Sequence, residues 1–509
     1  MSTTADAIEP GACSTIQIGD LPGPDGVTSL REAVCAANNE AGADRIILGA
    51  NTYALTIAGA GEDANATGDL DILDDLTIVG LNPTSTIING GGIDRVLHIP
   101  GTAALVTVDN VTVTGGAAGD GGGISNSGSL TVTESAISGN SVTDYGGGIF
   151  NEGELTLSQS TVSGNEADYG GGLYNVRNQP QFGGVATLVN STISGNEALE
   201  GGGIYADYGS ATHLTHVTIS NNRATDGDAG GVYVTGNGDF PSSLDAVNTI
   251  IAHQAEGVDC TDASDYSVIV SNGHNLESGT SCGFAATGDG DIQNGDAVLG
   301  PLQDNGGPTA THALLVGSDA VDKISDCDAH LAVLEDQRSV ARPQGAECDI
   351  GAYEAQPGSI TIIKAADPAD GTDFTFTLSG ADLDPVAFDL MWGKGVNGGT
   401  GPEFCTGSTC SDGALGLTAG EFFEPHRIVT DALGYTYVSD YYIGRVQKFD
   451  ENGNFVLMWG KGVNGGSGPE ICSTPPCTIG GGGTLGGEFD NAQGIAVDGA
   501  GNVYVADAY

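Results

Sequence analysis

Glycine triplets followed by an apolar residue return at regular intervals through the middle of the chain. The triplets begin at Gly121, Gly146, Gly170 and Gly201, and a degenerate Ala-Gly-Gly begins at Ala229. Between them, segments such as "LTLSQSTVS" alternate apolar and polar residues, which is typical of strands that are buried on one side. The pattern predicts short strands rather than helices.

A unit this short cannot bury its apolar residues alone, but it can bury them by stacking on copies of itself. If each return advances the chain by one strand spacing, about 4.8 Å, equivalent residues lie above one another and their backbones pair in parallel. We therefore predict an all-β protein whose main part is a right-handed parallel β-helix. Ile124, Ile149 and Leu173 should then occupy neighbouring layers.

Each repeat closes on Ser-Gly-Asn or on a variant of it. The closing asparagines are Asn140, Asn165, Asn196 and Asn222. Asparagine tolerates the left-handed backbone region, and its amide can bond to the equivalent amide of the next coil. We predict that these four residues form an internal ladder. The alternative is that they are exposed turn residues without stacking.

The segment "TSLREAVCAANN" before the first coil carries the strongest helix signal. Ser29 is a suitable N-cap, and Glu32 follows three residues later as in a capping box. The open end of a solenoid exposes unpaired strand edges, so we expect this helix to plug it. The predicted organisation is an N-terminal segment with the capping helix (1–45), the β-helix (46–300), a C-terminal flank (301–356), a partial β module (357–387) and a repeat region (388–509).

Three stretches resemble known families. Ser29–Ala33, "SLREA", resembles the CSLREA domain of bacterial surface-associated β-helix proteins, with Thr28 in place of the first Cys of that motif. The glycine-triplet units are similar to polymorphic outer-membrane-protein repeats, and Leu299–Glu354 resembles the choice-of-anchor Q domain. The resemblances imply a secreted or surface-attached bacterial protein, and they do not imply a catalytic activity.

The last third of the chain contains a second repeat. "FDLMWGKGVNGGTGPEFC" from Phe388 returns as "FVLMWGKGVNGGSGPEIC" from Phe455, and the segment between reads as short strands separated by turns. This unit resembles the NHL repeat of β-propellers, and Pro357–Gly380 resembles the start of a prealbumin-like or SpaA-like module. Because propellers need about four to eight blades, we expect the sequence to stop at Tyr509 inside an incomplete one, with an export signal and an anchor outside it.

The charge balance excludes several classes of partner. Lys and Arg total 14 against 66 Asp and Glu, which gives a formal net charge of −52. Such a surface repels phosphate backbones and anionic lipid headgroups, so we expect no nucleic acid and no membrane surface as partner. The sequence also lacks an apolar stretch of membrane-spanning length. Glycans or surface proteins remain as expected partners.

Ten cysteines fall into five neighbouring couples. The spacing with nearby His that zinc fingers need is missing, so local disulfides outside the cytosol are favoured over metal sites, with the connectivity left open. Since Thr28 replaces the Cys of the CSLREA motif, that resemblance leaves Cys13 and Cys35 to pair instead. The couples are Cys13 with Cys35, Cys260 with Cys282, Cys327 with Cys348, Cys405 with Cys410, and Cys472 with Cys477.

The search for reactive or metal-binding residues yields one metal candidate. "GDLDILDD" alternates like a strand, which would put Asp69 and Asp71 on one outer face as calcium ligands; the alternative is a pair of solvated carboxylates. His213 and His216 lie three apart on an expected strand and should point to opposite faces. We therefore assign no catalytic residue and expect no cofactor other than calcium.

Two functions are compatible with this organisation. The first is a non-enzymatic secreted or cell-surface protein that recognises glycans or proteins, with loops at 176–184 and 207–213 bulging from one face. The second is a polysaccharide lyase or glycoside hydrolase acting in a lateral groove of the β-helix. Three or more carboxylates and a base within about 6 Å on one face would favour the enzyme. Scattered carboxylates on a smooth face would favour recognition.

Overall fold

The computed structural model describes two compact units, Met1–Gln356 and Pro357–Tyr509, and each unit is described by itself. None of the helices in the part of the chain that is described has the length and apolarity to cross a membrane. The described residues are 2–9, 11–23, 25–101, 104–177, 184–284, 290–327, 333–356, 391–394, 402–405, 419–423, 425–430, 435–441, 443–450, 454–477, 483, 488–497 and 503–507.

Three parallel sheets form the first unit, and the chain visits them in turn before it returns one strand further along. The strands of the first sheet are Asp44–Ile47, Leu76–Val79, Leu105–Asp109, Ser129–Thr133, Glu154–Ser158, Val185–Val189, Ala211–Thr215, Ser242–Val247 and Ser267–Ser271. Those of the second sheet are Thr52–Ala54, Ile87–Asn89, Thr112–Thr114, Ala136–Ser138, Thr161–Ser163, Thr192–Ser194, Thr218–Ser220, Ile250–Ile251 and Leu276–Glu277. Those of the third sheet are Leu70–Asp71, Leu97–Ile99, Ile124–Asn126, Ile149–Asn151, Leu173–Val176, Ile204–Asp207, Ala229–Val234 and Val258–Asp262.

Other elements accompany the three sheets. A short parallel pair lies at one corner, and an antiparallel hairpin follows the last coil. These elements are the 3-10 helix Ile18–Asp20, the α-helix Leu30–Asn38, the pair Glu197–Ala198 with Arg223–Ala224, and the hairpin Leu299–Gln303 with Thr311–Leu314.

Equivalent residues of successive repeats lie opposite one another in the sheets. Ile124 pairs with Ile149, Ile149 with Leu173, and Leu173 with Ile204. Their side chains are buried in one apolar core that runs along the axis of the coils. The right-handed parallel β-helix predicted from the repeat is confirmed.

The glycine triplet stands where two coils approach too closely for side chains. Gly146 has a φ of 67°, in the left-handed region that favours glycine. A Cβ at Gly148 would lie 2.5 Å from the carbonyl oxygen of Gly172 in the next coil. The triplet therefore allows the chain to turn into the third sheet without pushing the coils apart.

The α-helix Leu30–Asn38 closes the N-terminal end of the β-helix. Ser29 Oγ accepts a hydrogen bond from the Glu32 amide at 3.1 Å, and Glu32 returns one from the Ser29 amide at 2.9 Å, which is the expected capping box. Arg31 is fully buried, pairs with Asp6 at 2.7 Å and donates to two carbonyls of the first coil. The helix is thus fixed to the coil that it covers.

The chain beyond the last coil folds back over the outer side of the second sheet. Thr192 Oγ1 donates to Gln337 Oε1 at 2.7 Å, and Gln337 Nε2 donates to Thr161 Oγ1 at 2.9 Å. His312 lies 2.8 Å from Ser194 Oγ, and burial lowers the pKa of His312, which keeps the ring neutral. The flank therefore covers the outer face of this sheet at the middle coils.

The second unit consists of antiparallel strands. The segment between the two long repeats forms three strands, the second long repeat begins with a fourth as the pattern predicts, and a fifth strand extends the sheet. The partial module predicted at 357–387 lies outside the described residues. The strands are Met391–Lys394 with Pro402–Cys405, then Pro425–Thr430, Thr436–Asp440, Arg445–Phe449, Phe455–Lys461 and Pro469–Cys472, and Ala492–Val497 with Val503–Asp507.

Four of the five cysteine couples form disulfides within the described residues. Each bond joins two neighbours in sequence, as the spacing predicted, so that expectation is confirmed for these couples. Cys410 lies outside the described residues, so its pairing with Cys405 stays a prediction. The bonds are Cys13–Cys35, Cys260–Cys282, Cys327–Cys348 and Cys472–Cys477.

Candidate functional site

Asp69 and Asp71 do not lie on an exposed outer face, so the expectation from the alternating pattern is wrong. Both side chains are fully buried, because the capping helix and the loop before Asp69 cover the first coil. Asp69 Oδ2 is paired with Arg95 Nε at 2.5 Å. Burial, followed by the charge of Asp71, raises the pKa of Asp69 to about 7. The Arg95 partner makes Asp69 a poor calcium ligand.

Asp71 has a different set of neighbours. Its Oδ1 lies 2.8 Å from His98 Nδ1, and its Oδ2 accepts a hydrogen bond from the Asn65 amide at 2.8 Å. Asp63, which is 69% exposed, brings its carboxylate to 3.7 Å from the same His98 nitrogen. Each of the two predicted calcium ligands thus has its own polar partners.

The four closing asparagines lie inside the β-helix in one column, which we call the asparagine ladder. Asn140 Nδ2 donates to Asn165 Oδ1 at 2.9 Å, Asn165 to Asn196 at 3.0 Å, and Asn196 to Asn222 at 2.9 Å. All four side chains are buried. Gln254 continues the column by accepting from Asn222.

A second column of buried amides was missed in the sequence. Asn126 donates to Asn151 at 2.7 Å, and Asn151 donates to Asn175 at 2.8 Å. The sequence did contain a signal for this column, because each of these residues stands two places after the apolar residue that follows a glycine triplet. Both amide columns are internal and offer no surface to a ligand.

The two histidines of interest face in different directions, as their spacing suggested. His213 is partly exposed on the first sheet and pairs with Asp245. His216 is fully buried and meets the amide of Asn248 at 3.0 Å. They do not meet in a common metal site.

The outer side of the third sheet carries a single column of side chains in register. We call its aromatic part, Phe150, Tyr174, Tyr205 and Tyr233, the aromatic column. Ring centroids of successive members lie 5.6, 5.2 and 4.7 Å apart, and the planes differ by 9°, 19° and 19°. The full column reads Asp71, His98, Ser125, Phe150, Tyr174, Tyr205, Tyr233 and Thr261.

A second, shorter row of tyrosines lies beside the aromatic column. Tyr145 pairs in parallel with Tyr169, and their rings stack with centroids 5.5 Å apart. The Tyr145 ring also lies 4.7 Å from that of Tyr174, and Tyr169 meets Tyr205 edge to face. With 37% of its surface exposed, Tyr145 presents ring area to the solvent.

Carboxylates border these rings. The Tyr174 hydroxyl donates to Asp207 at 2.7 Å, and Tyr205 and Tyr233 lie near Glu200, whose pKa they act to lower. Burial raises the pKa of Glu200, and the charges of Asp226 and Asp228 raise it further. One carboxylate oxygen from each of these three acids lies within 4.8 Å of the others.

Exposed aromatic residues also stand in the turns that follow third-sheet strands. Tyr208 is 50% exposed and Tyr266 is 53% exposed. Phe240 lies under the guanidinium of Arg177, whose Cζ is 5.7 Å from the ring centroid. We call Tyr208, Phe240 and Tyr266 the loop rim. Of these three residues, Tyr208 lies in the loop 207–213 inferred from the longer repeats, whereas most of the other inferred loop, 176–184, lies outside the described residues.

The outer side of the first sheet is chemically different. Its column in register is Thr107, Thr131, Thr156 and Thr187, followed by His213. The flank covers the second sheet at the middle coils, as described above. Among the described residues of the coils, the outer side of the third sheet therefore differs by its stacked aromatic rings and bordering carboxylates.

Residues 77–272 match the family model described as right handed beta helix region. The match contains the whole aromatic column and the asparagine ladder, and it covers less than half of the chain. Comparison with curated proteins and with solved structures gives no significant match.

Proposed function

We propose that the chain is a non-enzymatic secreted or cell-surface protein that binds glycans on the outer side of the third sheet. The observation that carries this proposal is the set of exposed rings beside the aromatic column, Tyr145 and the loop rim, together with the bordering carboxylates. A sugar ring has an apolar face of C–H groups and an edge of hydroxyls. Aromatic rings pack against the former, and carboxylates accept hydrogen bonds from the latter.

The aromatic column and the exposed rings beside it have different roles in the proposed binding. The column rings cover one another's faces, and Tyr174 and Tyr205 are buried, so the column mainly supports the exposed rings beside it. Tyr145 and the loop rim supply exposed ring area on either side. The site thus combines apolar surface with fixed acceptors, as ligand sites usually do.

Charge indicates which glycans fit. The net charge of −52 and the local acids Asp207, Glu200, Asp226 and Asp228 disfavour polyanionic chains. We infer that the partner is a neutral glycan. The four disulfides fit an oxidising environment outside the cytosol.

The test is a glycan array probed with the intact chain and with Tyr145→Ala. We expect selective binding of neutral glycans, weakened about tenfold in the variant because a partly exposed aromatic anchor is lost. Thr156→Ala, on the threonine column of the first sheet, is the matched control and should bind normally. Equal weakening by both substitutions, or binding of anionic glycans alone, would contradict the proposal.

One observation favours a second candidate, cleavage of the bound glycan. Glu200 has a raised pKa and lies beside Asp226 and Asp228, with carboxylate oxygens within 4.8 Å of one another. Retaining glycosidases use two carboxyl groups about 5 Å apart, one as acid and one as nucleophile. Release of reducing ends by the chain, lost in Glu200→Gln, would establish this alternative over simple binding.

A further inference from the structure

Asp63, Asp71 and His98 converge at the N-terminal end of the outer column of the third sheet. Asp71 and His98 are register neighbours in the first two strands of that sheet, and Asp63 reaches them from the preceding loop. One carboxylate oxygen of each Asp and Nδ1 of His98 all lie within 4.8 Å of one another. Three ligand atoms from three segments thus surround one small volume.

The two inner members of this group are held in place. Asp71 is fully buried and forms two hydrogen bonds with Asn65. The backbone N–H of Asn65 donates to Asp71 Oδ2 at 2.8 Å, and the backbone N–H of Asp71 donates to Asn65 Oδ1 at 3.2 Å. The His98 side chain is only 13% exposed. A ligand set fixed in this way loses little conformational entropy when it binds.

A neighbouring atom indicates that negative charge here is incompletely compensated. Asp69 is fully buried, and its Oδ1 has no hydrogen-bond partner among the described residues. Arg95 pairs with the other oxygen of Asp69 and with neither Asp63 nor Asp71 in the described part of the chain. Buried carboxylate oxygens without partners are costly, and a nearby cation would relieve that cost.

We propose that Asp63, Asp71 and His98 bind a divalent first-row transition-metal ion such as Zn²⁺. One imidazole nitrogen with two carboxylate oxygens suits zinc, whereas calcium prefers six to eight oxygen ligands. The ion takes the position of the proton between His98 Nδ1 and Asp71 Oδ1, and the imidazole proton moves to Nε2. The exposed Asp63 side leaves a coordination position open toward the solvent, at the end of the proposed glycan face.

This inference is tested by titrating the chelator-treated full chain with ZnCl₂ in a calorimeter. We expect about one ion per chain, and a loss of affinity of at least about tenfold in Asp63→Asn and in His98→Ala. Asp63 is largely exposed, so its substitution tests the site without disturbing the core. Co²⁺ added to the wild type should give visible d–d absorption that His98→Ala abolishes.

Two controls separate this site from other acidic positions. His213→Ala removes a second His–Asp pair that has one carboxylate, and Glu200→Gln breaks the acidic group beside the tyrosines. Both variants should bind Zn²⁺ as the wild type does, and excess Ca²⁺ should not displace it. The inference is overturned if no heat is observed, if Asp63→Asn binds normally, or if Ca²⁺ displaces the ion. Glycan binding is measured separately, so either proposal can fail alone.

Discussion

The asparagine ladder and the aromatic column arise from the same repeat, but they face opposite sides of the coil wall. In the ladder, each amide donates to the next and accepts from the previous one, in the dry interior. In the aromatic column, the rings stack on the outer side of the third sheet, and the Tyr174 hydroxyl donates to a carboxylate oxygen of Asp207. Repetition along a column stabilises the coils in both places, and only the outer column can also meet a ligand.

The largest expected effect comes from breaking the inner column with Asn165→Leu. Asn165 Oδ1 accepts from the backbone N–H and from the side-chain Nδ2 of Asn140, and Asn165 Nδ2 donates to Asn196. The change removes all three hydrogen bonds. Because buried groups left without partners cost about 1–3 kcal/mol each, we expect a loss of at least about 3 kcal/mol in the free energy of unfolding. Urea denaturation measures this free energy of unfolding. The control Asn51→Leu, at an exposed position, should change the free energy of unfolding by less than about 0.5 kcal/mol.

A smaller effect on stability is expected from Tyr205→Leu in the outer column. The leucine keeps apolar contact but loses the stacking with Tyr174 and Tyr233, so the free energy of unfolding should fall by about 1 kcal/mol. Glycan affinity should fall about tenfold in the same variant. If stability falls and binding persists, the aromatic column serves to join the coils and the proposed ligand face is wrong.

The remaining effect concerns pH, because neither the amides of the ladder nor the rings of the aromatic column change charge between pH 4 and 7. Burial, followed by the charge of Glu354, raises the pKa of Asp349 in the flank to about 7, against about 4 in an unfolded chain. The folded chain therefore holds this proton more tightly. The resulting stabilisation is complete below pH 4 and is lost as the pH rises through 7.

Urea midpoints between pH 4 and 8 test this assignment. Asp349→Asn should reduce the decline in stability as the pH rises, while Asp239→Asn, at an exposed position, should leave it unchanged. Asn165→Leu should lower stability by the same amount at every pH, because an amide does not titrate. An unchanged decline in Asp349→Asn would show that the pH response comes from other groups, such as Asp69, whose pKa is also raised to about 7.

The regular coils could be predicted from the sequence because their signal is a repeat. Once Ile124 and Ile149 are aligned in neighbouring layers, all the remaining residues of the two units are also aligned, including the ladder asparagines. The same alignment contained the aromatic column, since Phe150 and Tyr174 occupy one position of the repeat. Recognising the column as a stack requires the register of the strands, because the sequence around a single tyrosine does not show which ring it stacks on.

The first coil could not be predicted in this way. "GDLDILDD" does alternate, but this coil is the contact surface of the capping helix, and Arg31 and Arg95 arrive there from distant positions. The burial of Asp69 and Asp71 thus depends on contacts between residues that are distant in the sequence, and the alternating pattern does not reveal such contacts. The position of Asp63 beside His98 is likewise a property of a loop between irregular strands.

The way the flank is attached has a mechanical consequence. Gln337 and Ala352 bond to Thr161, Thr192 and Thr218, on three successive middle coils, in addition to the packing of the flank on Leu276 of the last coil. A pull applied near residue 356 is therefore delivered as shear across several layers, instead of peeling the terminal strands one at a time. A β-helix with this attachment can bear tension at its C-terminal side while its last coils stay folded.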